Sequence, residues 1–369
     1  MTLIPQRTVA SQIAARLRDD IMRGVWRTWL PGERALSETV QASRNTLRAA
    51  LKQLKSEGII AATPGFGNKV IANPATIPDR NRKKTVGVII PEPVGSLRPF
   101  VALWIDELKD LLTESGCRLR VYEGRQYYLA NPNRALQRLV SQSAHDAWVL
   151  ALSSHYMQSW FAQRGVPCIV AGSLYADVEL PFFDVDHRAI CRHAAGVLIR
   201  QGHRRIALLG RESQRAGDMA SELGFLEGVR GTSQRDTTAD IAYHRDDVES
   251  VTRALHRVLG KNDAPTGIIV CNSYAYLAAT SLLAVRGLRI PQDISLISRD
   301  DDPFLRFLVP APARYVVSPH AFAKKAIGAI LQLTAKDPVT RSQTRLASQF
   351  VPGGSTAIPR AKSPLPHRT

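Results

Sequence analysis

The hydrophobic period changes once along these 369 residues, near Thr85, and one fold cannot satisfy both halves. Before it, Val9, Ile13, Leu17 and Ile21 recur every four residues, as on the buried face of a helix, and Gly24 supplies a stop. After it, short β-branched runs at 85–91, 118–122, 146–152, 167–171, 204–209, 266–271, 293–298 and 314–318 alternate with amphipathic helical stretches. One such stretch, 101–115, keeps Trp104, Ile105, Leu108, Leu111 and Leu112 at helical spacing. Asn131 followed by Pro132 reads as a cap and first helical residue of another. Strands alternating with helices indicate a parallel α/β sheet.

Between the halves, residues 74–84 carry two prolines and four basic residues with no apolar period, which predicts a linker. Residues 358–369, with three more prolines, are expected to be a disordered basic tail. No stretch is long and apolar enough to span a bilayer, and residues 1–31 contain no apolar signal core, so the expected location is cytoplasmic. Cys117, Cys168, Cys191 and Cys271 sit far apart with no metal-ligand spacing and read as buried reduced thiols.

The formal charge of +17 is uneven. Residues 1–84 hold 15 Lys+Arg against 6 Asp+Glu, and residues 85–357 hold 31 against 26. A small, strongly basic leading domain points to a polyanion. Its sequence gives the charge a shape. A second short helix is expected over 34–40, with Leu36 and Val40 inward. Ser43 then caps a third, 44–57, which Gly58 ends. Leu47, Ala50, Leu51 and Leu54 form its apolar face, and Arg44, Asn45, Arg48, Lys52 and Lys55 an adjoining one. This is the layout of a helix-turn-helix whose second helix enters the DNA major groove. Arg bonds guanine bidentately, Asn bonds adenine, and a Thr methyl meets the thymine methyl. Two short strands around 64–67 would make a wing. Trp26 and Trp29 are expected to pack against the domain.

The stretches Leu30-Pro-Gly-Glu-Arg34, Ser43-Arg-Asn-Thr-Leu-Arg-Ala-Ala-Leu51, Leu54-Lys-Ser-Glu-Gly58 and Gly65-Phe-Gly-Asn-Lys-Val70 resemble the GntR winged helix in order and spacing. The resemblance implies DNA contacts at Arg34, Arg44, Thr46, Arg48 and the wing glycine Gly65, to which the start of the third helix adds Ser43 and Asn45. Asn45 replaces a frequent Thr, and the connection from Gly24 to Leu30 is shorter than usual.

In open α/β sheets ligands bind at the carboxyl ends of strands. That rule selects the loops 92–100, 153–155, 272–276 and 299–304, which carry Glu92, Arg98, Phe100, His155, Asn272, Tyr274 and Asp300. Amide, acid and guanidinium groups beside aromatic rings suit a polyhydroxylated ligand. Asn272 could equally cap a helix, and Asp300-Asp301-Asp302 could be a turn and helix cap. Crowding of these acids is expected to raise at least one carboxyl pKa.

The runs Val86-Gly-Val-Ile-Ile-Pro91, Gly202-His-Arg-Arg-Ile-Ala-Leu-Leu-Gly210, Gly224-Phe225, Pro265-Thr-Gly-Ile-Ile-Val-Cys-Asn272 and Arg289-Ile-Pro-Gln-Asp-Ile-Ser295 resemble the LacI-type effector domain. That domain is related to periplasmic sugar-binding proteins. The resemblance implies ligand positions at Asn272 and Asp300 and, more loosely, at Phe100; Arg98 shares the Phe100 loop. Four exchanges depart from the pattern: Ser221 for an arginine, Ser273 for an aspartate, Ala171-Gly172 for an aspartate-bearing strand end, and Arg299 for an aromatic. They count against a plain hexose.

The expected fold is therefore α/β: a GntR-type winged helix-turn-helix (1–73), a linker (74–84) and a two-lobed, periplasmic-binding-protein-like α/β domain (85–357). The expected function is a DNA-binding repressor acting as a homodimer on a pseudo-palindromic operator, controlled by a sugar or sugar derivative, without cofactor or metal. The alternatives are a regulator whose pocket takes another small molecule or none, a solute-binding module, and an enzyme. No nucleophile-elbow, zinc-protease or phosphate-loop motif supports an enzyme, and the nine histidines occur singly.

Overall fold

The structure, a computed structural model, describes residues 8–22, 25–26, 28–64, 66–71, 83–234, 236–335 and 343–360. Gly24, the wing residue Gly65, the linker as far as Arg82 and the tail beyond Arg360 lie outside the described residues. The chain divides into two compact units, Met1–Arg82 and Lys83–Thr369.

In the first unit, α1 (Val9–Met22), α2 (Glu33–Thr39) and α3 (Arg44–Ser56) precede an antiparallel pair, β1 (Ile60–Thr63) and β2 (Gly67–Val70). Ile13, Leu17 and Ile21 are buried as their spacing requires, but Val9, at the helix start, is 62% exposed. The α2–α3 turn is closed by Ser37 Oγ donating to the Ala42 carbonyl and by Gln41 in a left-handed conformation (φ 51°). Ser43 Oγ accepts the Thr46 N–H at 3.2 Å, capping α3 as expected. Gly58, at φ 68°, ends it with its N–H on the Lys55 carbonyl. Trp26 packs on the core, which centres on Leu17, Leu36, Leu47, Leu51 and Leu54. Each fully buried leucine stabilises by about 1.5–3 kcal/mol. Trp29 packs on the wing rather than on this core. It pairs with Lys69 as a third, one-residue strand against β2, and its ring meets Phe66 at 6.1 Å. The short connection thus becomes part of the wing sheet: Leu30 N–H bonds the Asn68 carbonyl, and Val70 N–H the Thr28 carbonyl.

The second unit holds two six-stranded sheets. The first lobe is built from β3 (Thr85–Ile90), α4 (Pro99–Glu114), β4 (Arg118–Glu123), α5 (Asn133–Gln142), β5 (Ala147–Ala151), α6 (His155–Arg164), β6 (Cys168–Ala171) and β7 (Phe182–Val185). The chain then crosses into the second lobe: α7 (His187–Arg200), β8 (Arg205–Arg211), α8 (Ala216–Arg230), β9 (Thr238–His244), α9 (Val248–Leu259), β10 (Gly267–Val270), α10 (Ser273–Val285), β11 (Ser295–Ser298) and β12 (Ala313–Val316). It returns with α11 (Pro319–Ala335) and β13 (Gln343–Leu346) and crosses a third time into β14 (Gln349–Val351). The strand orders are β13-β7-β6-β5-β3-β4 and β14-β12-β11-β10-β8-β9, parallel except for β14.

α5 starts at Asn133, one residue later than Asn131-Pro132 predicts, with Pro132 in the cap position. Residues 358–360, expected in the tail, are described. His203 is buried between Thr266 Oγ1 and the Ala357 carbonyl, tying β8 to the end of the domain. All four cysteines are buried and free. Among the described residues no helix is long and apolar enough to cross a membrane.

Candidate functional site

In the first unit, the exposed face of α3 presents Arg44, Asn45, Arg48, Lys52 and Lys55, and the helix contains no acidic residue. Arg44 opens the helix, where a cation opposes the helix dipole at a cost of about 0.3–1 kcal/mol. Folding gains nothing from that placement, whereas an anionic partner would. Arg48 reaches Glu33 at 2.9 Å and Arg34 reaches Glu38 at 3.5 Å, with side chains 64% and 84% exposed. Such surface pairs are worth at most about 1 kcal/mol and exchange readily for phosphate or a base edge. Ser43 is committed to the cap and shares a 2.8 Å hydrogen bond with Thr46 Oγ1, so both are oriented by the turn. Phe66 (79% exposed) and Lys69, on β2, project from the wing.

In the second unit, a cavity of about 740 Å³ opens between the two lobes. Its lining follows the carboxyl ends of β3, β5, β6, β7, β8, β9, β10, β11 and β12. The four loops selected from sequence omitted those after β6, β7, β8, β9 and β12, although the same rule covers them.

The centre of the cavity is a charge network that spans both lobes. Arg98, at the start of α4, donates to Asp300 at the end of β11, and its Nε lies 3.5 Å from Asp302 Oδ2. The Phe100 N–H donates to Asp302 Oδ1 at 2.8 Å, and Ser273 Oγ donates to Oδ2 of the same carboxylate. Arg299 grips Asp300 with Nε (3.2 Å) and Nη2 (3.3 Å). Its Nη1 donates to Ser221 Oγ at 2.8 Å and lies 3.6 Å from Asp218. Asp301 turns away to Arg314 at 2.8 Å.

Two corrections to the sequence reading follow. Asp302 precedes a 3-10 turn (Pro303–Phe307) but caps nothing there, because its carboxylate is spent on α4. Nor does crowding raise Asp300. Burial pushes its pKa up, but the Arg299 and Arg98 guanidiniums outweigh burial and hold it well below the ordinary carboxylate range. Asp218 is likewise lowered, burial being overcome by Arg299 and Arg211.

The remaining sequence-derived positions separate. Asn272 lines the cavity and also caps α10, its Oδ1 accepting from Tyr274 and Ala275 N–H. Phe100 lines the cavity with its ring edge-on to Phe322 at 5.4 Å. Glu92 lines it in a pair with Arg125, and Tyr274 lines it stacked on Phe304. His155 does not line it and pairs with Asp177 instead. Asp218, Arg211 and Arg215 carry no signal in the sequence as cavity groups, and Arg299 stands there only as a departure from the family pattern. The two exchanges at Ser221 and Arg299 turn out to be one: the guanidinium missing from α8 is brought to the Ser221 hydroxyl from the end of β11. Among the described residues no cluster of three or more His, Cys, Asp or Glu could hold a metal ion.

Residues 9–70 match the family described as bacterial regulatory proteins, gntR family, and residues 195–356 match a periplasmic binding protein-like domain. An HTH-type transcriptional regulator in the aml 5' region of Streptomyces limosus is 31% identical over 53% of this chain and 56% of its own length. The HTH-type transcriptional repressor PurR of Escherichia coli O1:K1 / APEC is 23% identical over 73% of this chain and 75% of its own. The chain spans little more than half the length of its Streptomyces relatives, 56% and 57% in two cases. Among solved structures, transcription regulator CcpA of Lactococcus lactis aligns with a TM-score of 0.64 at 17% identity, over 74% of this chain and 100% of that one. A LacI family transcriptional regulator of Enterococcus faecium, described with bound ribose, aligns at 0.63 and 18%, over 75% and 100%. The chain thus carries, in this order, a segment similar to the gntR family and a segment similar to the periplasmic binding protein-like domain, the latter within a two-lobed fold shared with these solved structures.

Proposed function

We propose that this chain is a sequence-specific DNA-binding transcription regulator, a repressor, whose α/β domain senses a small ligand between its lobes. The single observation carrying the DNA half is the acid-free, exposed cationic face of α3 on a capped, rigid turn. Arg44, Asn45, Thr46 and Arg48 would read base edges, while Arg34, Ser43 and the wing at Gly65 would hold the backbone. The Asp300 and Asp301 carboxylates are paired with guanidiniums rather than set as nucleophile and base, which supports sensing over catalysis. A sugar or sugar derivative fits a cavity lined by Asn272, Asp300, Arg98 and Phe100. The ribose of the Enterococcus protein is consistent with that class.

The active species in this reading is a cytoplasmic homodimer on a pseudo-palindromic operator. It is supported by apolar side chains left in water on the second lobe: Val309 is 97% exposed, Val285 86%, Phe307 85%. Residues 1–73 would bind DNA, 74–84 would link, and 85–357 would sense and pair.

The test is selection of duplexes by the full chain from a random pool, with the mass of the complex measured in solution. An enriched inverted repeat bound by two chains is expected. A pool that stays random through repeated rounds would remove the DNA reading.

A further inference from the structure

We propose that the ligand of the cleft carries an anionic group, a carboxylate or a phosphate ester, and that Arg215 is the side chain that binds it. The inference rests on the reading of the cleft as a ligand site and adds the chemistry of the ligand.

The charges on the cavity wall carry it. The carboxylates there are already matched: Asp300 by two guanidiniums, Asp246 by Arg211 at 2.8 Å, Asp301 by Arg314, Glu92 by Arg125. Asp218 sits against Arg299, Asp184 accepts from Ser173 Oγ, and Asp247 is spent capping α9. Arg215 is the exception. It lines the cavity and is half-buried, yet its guanidinium makes no hydrogen bond or ion pair with any described residue. A like charge stands nearby. Burial lowers the Arg211 pKa, and the charge on Arg215 lowers it further, although Asp246 opposes both. Arg215 thus stands on this wall as a cation with no ion pair of its own among the described residues, although its charge also reaches Asp218 and lowers that carboxyl's pKa.

A partly desolvated guanidinium without a partner is unfavourable. A neutral sugar would leave it so, offering only hydroxyls. A carboxylate or phosphate would take two parallel N–H bonds from Arg215 and cancel its charge, the interaction for which the planar guanidinium is suited. The hydroxyl-bearing part of the same ligand would meet Asn272 and the Asp300 network. Asp300, Asp246, Asp301 and Glu92 repel such a ligand little, since each is paired with a guanidinium.

The probes are glucose, glucuronate, glucose 6-phosphate and inorganic phosphate. They are applied to the full chain in phosphate-free buffer up to tens of millimolar, followed by thermal shift and calorimetry. At least one anionic probe is expected to bind more tightly than glucose. Arg215→Gln should weaken that probe at least about tenfold, equal to about 1.4 kcal/mol, and Arg215→Lys should recover part of the loss. An Arg44→Ala/Arg48→Ala variant should bind the probe as the parent chain does, which separates the cleft from the cationic helix. The unliganded melting temperature of each variant reports whether it folds. Preferential binding of glucose, or no binding by any anion, overturns the proposal. If glucose binds and Asp300→Ala abolishes that binding, the cleft reading survives alone. Anion binding unchanged in both Arg215→Gln and Asp300→Ala removes both.

Discussion

The Arg98–Asp300 contact joins residues 202 apart in sequence and lies across the cleft, so its strength sets how firmly the lobes hold each other without ligand. Its magnitude can be bounded. A hydrogen bond between charged groups contributes about 1.5–3 kcal/mol. Arg98 is 22% exposed, and Asp300, 8% exposed, keeps both Arg299 bonds when Arg98 is removed. The coupling between the two should therefore lie near the lower end, about 1.5–2 kcal/mol. The experiment is a double-mutant cycle of Arg98→Ala and Asp300→Ala by urea denaturation of the full chain, following the transition of the larger unit. Arg98→Ala alone should lower the melting temperature by about 4 °C, given roughly 2–4 °C per kcal/mol for domains of this size. A control cycle of Arg98→Ala with Asp301→Ala should show no coupling, because Asp301 belongs to Arg314. Zero coupling in the first cycle, or equal coupling in both, would refute the latch.

Three more outcomes are expected. Gly224→Ala should destabilise the larger unit by about 1–3 kcal/mol, because a Cβ there collides with the Arg188 backbone where α7 and α8 pack; calorimetry measures it. His203 and His244 are 1% and 2% exposed, and burial lowers both pKa values below the ordinary 6.5. The unfolded chain then protonates first, so stability should fall as pH drops through 6.5 and level off below the folded pKa values. The urea midpoint across this range should flatten in His203→Asn. Asp300→Ala should abolish the response to effector while leaving DNA affinity intact, and equal loss of both in one gel-shift assay would make it a folding residue.

What the sequence revealed and what it hid divide along physical lines. The three helices of the first unit are written in local signals: a four-residue apolar repeat, a serine cap and a left-handed glycine. The central strands β3, β5, β6, β8, β10 and β11 of the larger unit are legible because buried parallel strands are continuous apolar runs. β9, β13 and β14, like β4, are edge strands mixing polar and apolar residues, a pattern that hides three of the four edges. β7 is hidden because Asp184 interrupts its short apolar run. The lobe crossings and the cleft network depend on tertiary placement. Nothing local announces that Arg299 will bond Ser221, 78 residues away, or that Asp302 will serve α4. Two substitutions that looked like independent losses form one compensated contact.

The most direct test of DNA recognition by α3 is the affinity ratio between a selected duplex and a scrambled one, measured by fluorescence anisotropy across a salt series. Full chain, Arg44→Ala and Arg48→Ala should be compared. The expected result is a steep decline of affinity with salt and a ratio well above one, with each alanine costing about 1–3 kcal/mol on the selected duplex. A flat salt dependence, or a ratio that neither substitution changes, would contradict it.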